Sequence, residues 1–122
     1  MIYGIGLDII EIERIDQLLE RNEGSFIERI FTEQERLQIP PNGRRRVEYI
    51  AGRFAAKEAF SKALGTGIGA SLRWHEIEVL ALTCGKPYIN YSNQICESDL
   101  RYHLSISHSN GYAVAQVIIE DL

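Results

Sequence analysis

The stretch from Arg45 to Leu64 constrains this chain more than any other, because its apolar stripe runs into charge. Val47, Ile50 and Phe54 step by three and four, the next step lands on Glu58, and the one after on Lys62. Residues at these intervals share one face of an α-helix. Such a face begins in a core and ends in something polar. Burying an unpaired charge is costly, so Glu58 and Lys62 need partners. A bound ion or phosphate is one answer. The other is an i,i+4 ion pair between the two, worth about 0.3–0.5 kcal/mol.

The glycines and prolines around this helix divide the chain. Ile2 to Asp8 reads as a strand, in which Gly4 and Gly6 imply a bulge or a close backbone approach. From Ile9 to Asn22 the period becomes helical, with Ile12, Ile15, Leu18 and Leu19 on one side and Arg14 and Arg21 along its edge. Asn22-Glu23-Gly24-Ser25 is a stop, and Ser25 to Phe31 a short helix. Thr32 and Glu35 fit a capping box, so another short helix begins there. Pro40 and Pro41 make Ile39 to Gly43 a loop. Gly65 suits the left-handed cap of the long helix, and Gly52 inside it implies close packing.

The rest reads as strands: Ile77 to Leu82, Tyr88 to Tyr91, Tyr102 to Ser107 and Tyr112 to Ile119, with turns at Cys84–Pro87 and at Ser109-Asn110-Gly111. Helices first and hairpins second predict an α+β fold, with the long central helix packed on an antiparallel sheet. The 122 residues form one domain, 1–122, with a single core.

A net charge of −4 argues against a dedicated nucleic-acid binder. No apolar run approaches a membrane span, and MIYGIGLDII meets Asp8 too early for a signal peptide. Cys84 and Cys96 lack metal-binding spacing and read as reduced thiols, which fits a cytoplasmic protein. Residues 1–62 hold ten of the 13 Lys/Arg, among them Arg44, Arg45 and Arg46. That bias is either a solvated helix surface or a patch for an anionic partner.

Three places offer chemistry. Asp8, at the end of the first strand, is either the N-cap of the following helix or a carboxylate ligand. With Glu58 it would make a carboxylate pair of the kind that holds Mg²⁺ beside substrate phosphates. The loop Gly65 to Gly69 is either a connector or a cradle whose N–H groups approach phosphate; it is neither a P-loop nor a dinucleotide fingerprint. His103, Ser105, Ser107 and His108 crowd one strand end, with His108 on the opposite face if the strand continues. They offer a Ser–His pair with no evident acid to orient it, or turn chemistry. His75 has no companion and reads as a strand-edge residue.

Gly4-Ile5-Gly6-Leu7-Asp8, Arg53-Phe54-Ala55-Ala56-Lys57-Glu58-Ala59 and Ser105-Ile106-Ser107-His108 resemble, in order, the three signatures of the 4′-phosphopantetheinyl transferases. Length and the glycine loop are similar to the small bacterial holo-[acyl-carrier-protein] synthase branch. The resemblance implies that fold, and transfer of 4′-phosphopantetheine from coenzyme A to a serine of apo acyl carrier protein in fatty acid biosynthesis, leaving adenosine 3′,5′-bisphosphate. It implies that Asp8 and Glu58 bind Mg²⁺ and, with Lys62, carry the catalysis. Arg53 and His108 would suit the 3′-phosphate and its surroundings, and Gly65, Thr66, Gly67, Lys86, Pro87 and Ser107 the rest of the nucleotide.

The small members are homotrimers with sites between subunits, which makes Arg53 a candidate to serve a neighbour. The serine proton would pass to a water near the metal, with Asp8 through a water, or Glu58, as alternatives. Carriers of this type are acidic, so Arg14, Arg21 and Arg45 would dock one. Larger two-lobed members usually carry Trp where this chain has Phe54, and this chain lacks their second lobe. Two other readings stand beside the transferase: a coenzyme A or nucleotide-binding module without transfer, and an oligomeric interaction domain in which Glu58–Lys62 is structural.

Overall fold

The computed structural model describes residues 1–93 and 99–122; Cys96 lies outside them. The chain runs β1 (Ile2–Glu11), α1 (Ile12–Ile30), α2 (Glu33–Gln38), α3 (Gly43–Leu64), a 3₁₀ turn (Trp74–Glu76), β2 (Ile77–Ala81), β3 (Pro87–Tyr91), β4 (Leu100–His108) and β5 (Tyr112–Asp121). The strands make two antiparallel sheets, β1-β5-β4 and β2-β3, where the sequence suggested a single one. Among the described residues no helix is long and apolar enough to cross a membrane.

Helix α3 is the spine. Ala51, Ala55, Ala56, Ala59 and Ala63 are buried along it, so its neighbours approach closely on nearly all sides. One core lies between α3, β2, β3 and the inner face of β5; the other lies between α3 and α1. The inner face of β1 sits directly on α3. A Cβ built on Gly6 would stand 1.7 Å from the Ala59 carbonyl oxygen, and one on Gly4 would stand 1.9 Å from that of Ala63. The close approach expected of these glycines is therefore real. At Gly52 the neighbour is Ile106 of β4, whose Cγ2 would stand 2.9 Å from such a Cβ.

Several local expectations hold. Thr32 and Glu35 close the capping box, and Gly65 ends α3 at φ 86°. Others need correction. β1 runs on to Glu11, paired through Glu11 with Tyr112 of β5, so Glu11 and not Asp8 stands at the N-cap of α1. The ladder with β5 supplies backbone partners that local sequence does not display. Helix α1 is broken at Asn22 (φ −163°, ψ 76°), where the sequence placed a stop, and a second helical segment runs on from there to Ile30. The Asn22 side chain accepts from the Ser25 N–H and bridges the break. His75 lies in the 3₁₀ turn, its Nε2 2.8 Å from the Glu28 carbonyl, and not on a strand edge.

Lys57, one residue before Glu58, is fully buried. Its ammonium donates to Glu35 (2.6 Å) and to the carbonyls of Ile30 (2.7 Å) and Trp74 (3.1 Å). Glu35 also accepts from the Thr32 and Val79 N–H groups. Desolvation lowers the Lys57 pKa and Glu35 opposes that shift. The pair ties α1, α2, β2 and the 3₁₀ turn to one side of α3.

Candidate active site

Strand alternation turns Gly4, Gly6, Asp8 and Ile10 toward α3 and leaves Ile5, Leu7 and Ile9 on the other face. The glycines bring the strand so close that Asp8 comes up against the polar end of the α3 stripe. Asp8 and Glu58 line one cleft of about 410 Å³, with Arg14, Leu18, Phe54 and Tyr112 around them. Phe54 is fixed there by stacking on Phe26 and by the tilted ring of Trp74.

Of the two partners the sequence allowed Lys62, the i,i+4 pair with Glu58 gives way to a contact across elements. Lys62 Nζ donates to Asp8 Oδ1 and to the Leu7 carbonyl, both at 3.0 Å. Burial pushes the Glu58 carboxyl above its ordinary pKa, Asp8 adds to that shift, and Lys62 works against it. Two carboxylates facing each other in a half-buried cleft make a place that favours a cation. Their oxygens are hard donors. Among the described residues no third His, Cys, Asp or Glu completes a metal cluster. That set suits Mg²⁺, which keeps waters and takes its other ligands from phosphates.

Arg53 and His108 meet in a different cleft, of about 450 Å³, with Arg45, Glu48, Tyr49 and Pro87. Arg53 is buried, stacks over Tyr49 at 4.0 Å, and its Nε has no partner. Desolvation lowers its pKa, but guanidinium stays charged. The two clefts are opened by different faces of α3: Arg53 and Glu58 are five residues, hence about 140°, apart around the axis.

Other expected site residues fall differently. The N–H groups of Gly65, Thr66 and Gly67 all donate to the Ser61 carbonyl, so the loop spends them on closing α3 and does not offer them to a phosphate. β4 does continue to His108, which puts Ser107 on the opposite, exposed face, away from the Arg53 cleft. His103 finds an acid after all, Glu120 at 3.1 Å. Lys86 is exposed in the β2–β3 turn, and of that pair only Pro87 lines the Arg53 cleft. Arg45 belongs to the Arg53 cleft, not beside Arg14. Arg21 is exposed on α1. Glu48 and Tyr49 were missed in the sequence, although Arg45, Glu48, Tyr49, Gly52 and Arg53 step by three and one along a single helix face.

A strand-borne aspartate and a helix-borne glutamate thus share one cleft of an α+β scaffold, with a lysine on the aspartate. Residues 4–117 match the family described as the 4′-phosphopantetheinyl transferase superfamily, and the chain belongs to that superfamily. The chain is 52% identical to holo-[acyl-carrier-protein] synthase of Geobacillus sp. (strain WCH70), covering 100% of this chain and 99% of the relative. Its fold matches the crystal structure of the Bacillus anthracis holo-(acyl-carrier-protein) synthase in complex with CoA (3′,5′-ADP). That match has a TM-score of 0.86 and 49% identity, over 100% of this chain and 99% of that one. The Helicobacter pylori synthase in complex with coenzyme A matches at a TM-score of 0.84 and 34% identity, over 95% and 99% of the two chains.

Proposed function

We propose that this protein is a cytoplasmic, Mg²⁺-dependent transferase that moves 4′-phosphopantetheine from coenzyme A to a serine of apo acyl carrier protein, for fatty acid biosynthesis. The observation that carries the reading is the meeting of Asp8 and Glu58, far apart in the chain, in one cleft. The names of the relatives point the same way.

Asp8 and Glu58 would hold Mg²⁺, which when bound neutralises charge on the coenzyme A pyrophosphate. Lys62 holds the Asp8 carboxylate through its 3.0 Å contact, and would add its own positive charge to the phosphates. Phosphoryl transfer asks mainly for such positioning and charge neutralisation. The carrier serine oxygen forms the new bond to the phosphorus bearing pantetheine. The pyrophosphate P–O bond breaks, and adenosine 3′,5′-bisphosphate leaves with the electron pair. The serine proton would leave through a water held near the metal site and pass on to one of the two carboxylates, Asp8 or Glu58. Arg14 at the cleft rim, with Arg21 further along α1, would steer an acidic carrier, an attraction that salt weakens.

Arg53, His108 and Pro87 would receive the adenosine 3′-phosphate end. Because their cleft and the carboxylate cleft lie on different faces of α3, one nucleotide would span both only if a second copy supplied one of them. The outer face of β1 supports that arrangement. Ile5, Leu7 and Ile9 are 56%, 57% and 62% exposed, an apolar row that a neighbouring subunit would cover in a homotrimer.

Incubation with coenzyme A, Mg²⁺ and an apo carrier should raise the carrier's mass by one phosphopantetheine, and omission of Mg²⁺ should abolish the gain. An unmodified carrier, with coenzyme A bound, would instead assign a nucleotide-binding module.

A further inference from the structure

The geometry points to Glu48 as a positioning residue that sets His108 for a 3′-phosphate, and so as a determinant of preference for coenzyme A over its 3′-dephospho form. This rests on the nucleotide reading of the Arg53 cleft. A carboxylate is the odd group in a cleft that also holds Arg45, Arg53 and His108. It is not free to move there. Arg44 Nε lies 3.4 Å from Glu48 Oε1, and His108 Nε2 lies 2.7 Å from Oε2. Arg44 also donates to the Asn110 carbonyl, so the network ties the first turns of α3 to the β4–β5 turn.

The consequence for His108 is specific. The imidazole is 49% exposed, so packing does not fix its orientation; the Glu48 contact does. A carboxylate accepts, so Nε2 must carry its proton toward Glu48. Nδ1 is then the one ring nitrogen left for a ligand, and it donates to a phosphate oxygen when it carries the ring's second proton. Glu48 itself is compensated by Arg44 on one oxygen and accepts from His108 on the other, which limits its repulsion of a phosphate at Arg53. A rival role gives the opposite sign: a Glu48 that competes with phosphate for His108 would weaken coenzyme A binding.

The ratio of kcat/KM for coenzyme A to that for 3′-dephospho-coenzyme A, measured by carrier modification, separates these roles. In Glu48→Ala the ratio should fall about tenfold, the size of a charge-assisted hydrogen bond. Glu48→Gln, whose amide oxygen still accepts from Nε2, should recover most of it. In a His108→Ala background, Glu48→Ala should change the ratio no further. An unchanged or higher ratio in Glu48→Ala, or an equal loss on both substrates, overturns the inference. A wild-type protein that transfers from neither substrate, or shows no preference for coenzyme A, overturns the nucleotide reading itself.

Discussion

Glu58 is held where its charge is unwelcome unless a cation is present. Burial first, and Asp8 second, raise its pKa in the folded chain. The folded state therefore holds that proton more tightly than the unfolded state. As pH rises from the ordinary carboxylate range through the raised value, stability is lost, and the loss is complete above it. Glu58→Gln removes the term. The metal-free variant should melt about 1–2 °C higher than wild type at neutral pH, and the gap should close in acid below the ordinary glutamate pKa. Transfer should be abolished. Thermal melts at two pH values measure the first claim; a variant that melts lower at neutral pH would sink it.

The neighbouring Lys57 behaves oppositely. Lys57→Ala leaves the Glu35 carboxyl buried without its partner, and should cost about 3–5 kcal/mol in denaturant unfolding. Replacing both members with apolar residues should recover much of that. Glu58 and Lys62 were legible in the sequence because they interrupt a stripe of period 3.6. The Lys57–Glu35 pair was not, since each partner lies on a different element and neither breaks a pattern.

Between β1 and α3, spacing decides the site. Gly6→Ala would drive a methyl into the Ala59 carbonyl, and backbone cannot yield as a flexible side chain does. The strand should lift from the helix, carrying Asp8 away from Glu58. Stabilisation by Mg²⁺ with coenzyme A, about 2.7 kcal/mol at a hundredfold excess over Kd in the wild type, should disappear even in preparations that remain folded. Retention of that shift would refute the spacing argument. The sequence announced the close approach through Gly4 and Gly6, the capping box through Thr32 and Glu35, and the helix end through Gly65. It did not announce that β1 extends to Glu11, because that extension depends on pairing with β5 at the other end of the chain. Nor did the stripe Val47-Ile50-Phe54 locate the most buried part of α3. Alanines do that, and they carry little hydrophobic signal of their own.

For the whole molecule, the placement of two clefts on different faces of one helix is the fact that matters most. A mixture of Glu58→Gln and Arg53→Ala proteins, each inactive, should regain part of the wild-type transfer after exchange of subunits. Some interfaces in the mixed assemblies would pair an intact carboxylate cleft with an intact Arg53 cleft. No recovery would mean that each chain works alone. Ile5→Lys should yield a smaller species in sedimentation, with transfer lost although Ile5 lines neither cleft.

The bare row of Ile5, Leu7 and Ile9 also bears on how such a catalyst behaves in scarcity. An assembly held by that surface falls apart as it is diluted, so turnover per molecule should decline at low enzyme concentration and return on reconcentration. Output would then track abundance more steeply than in direct proportion.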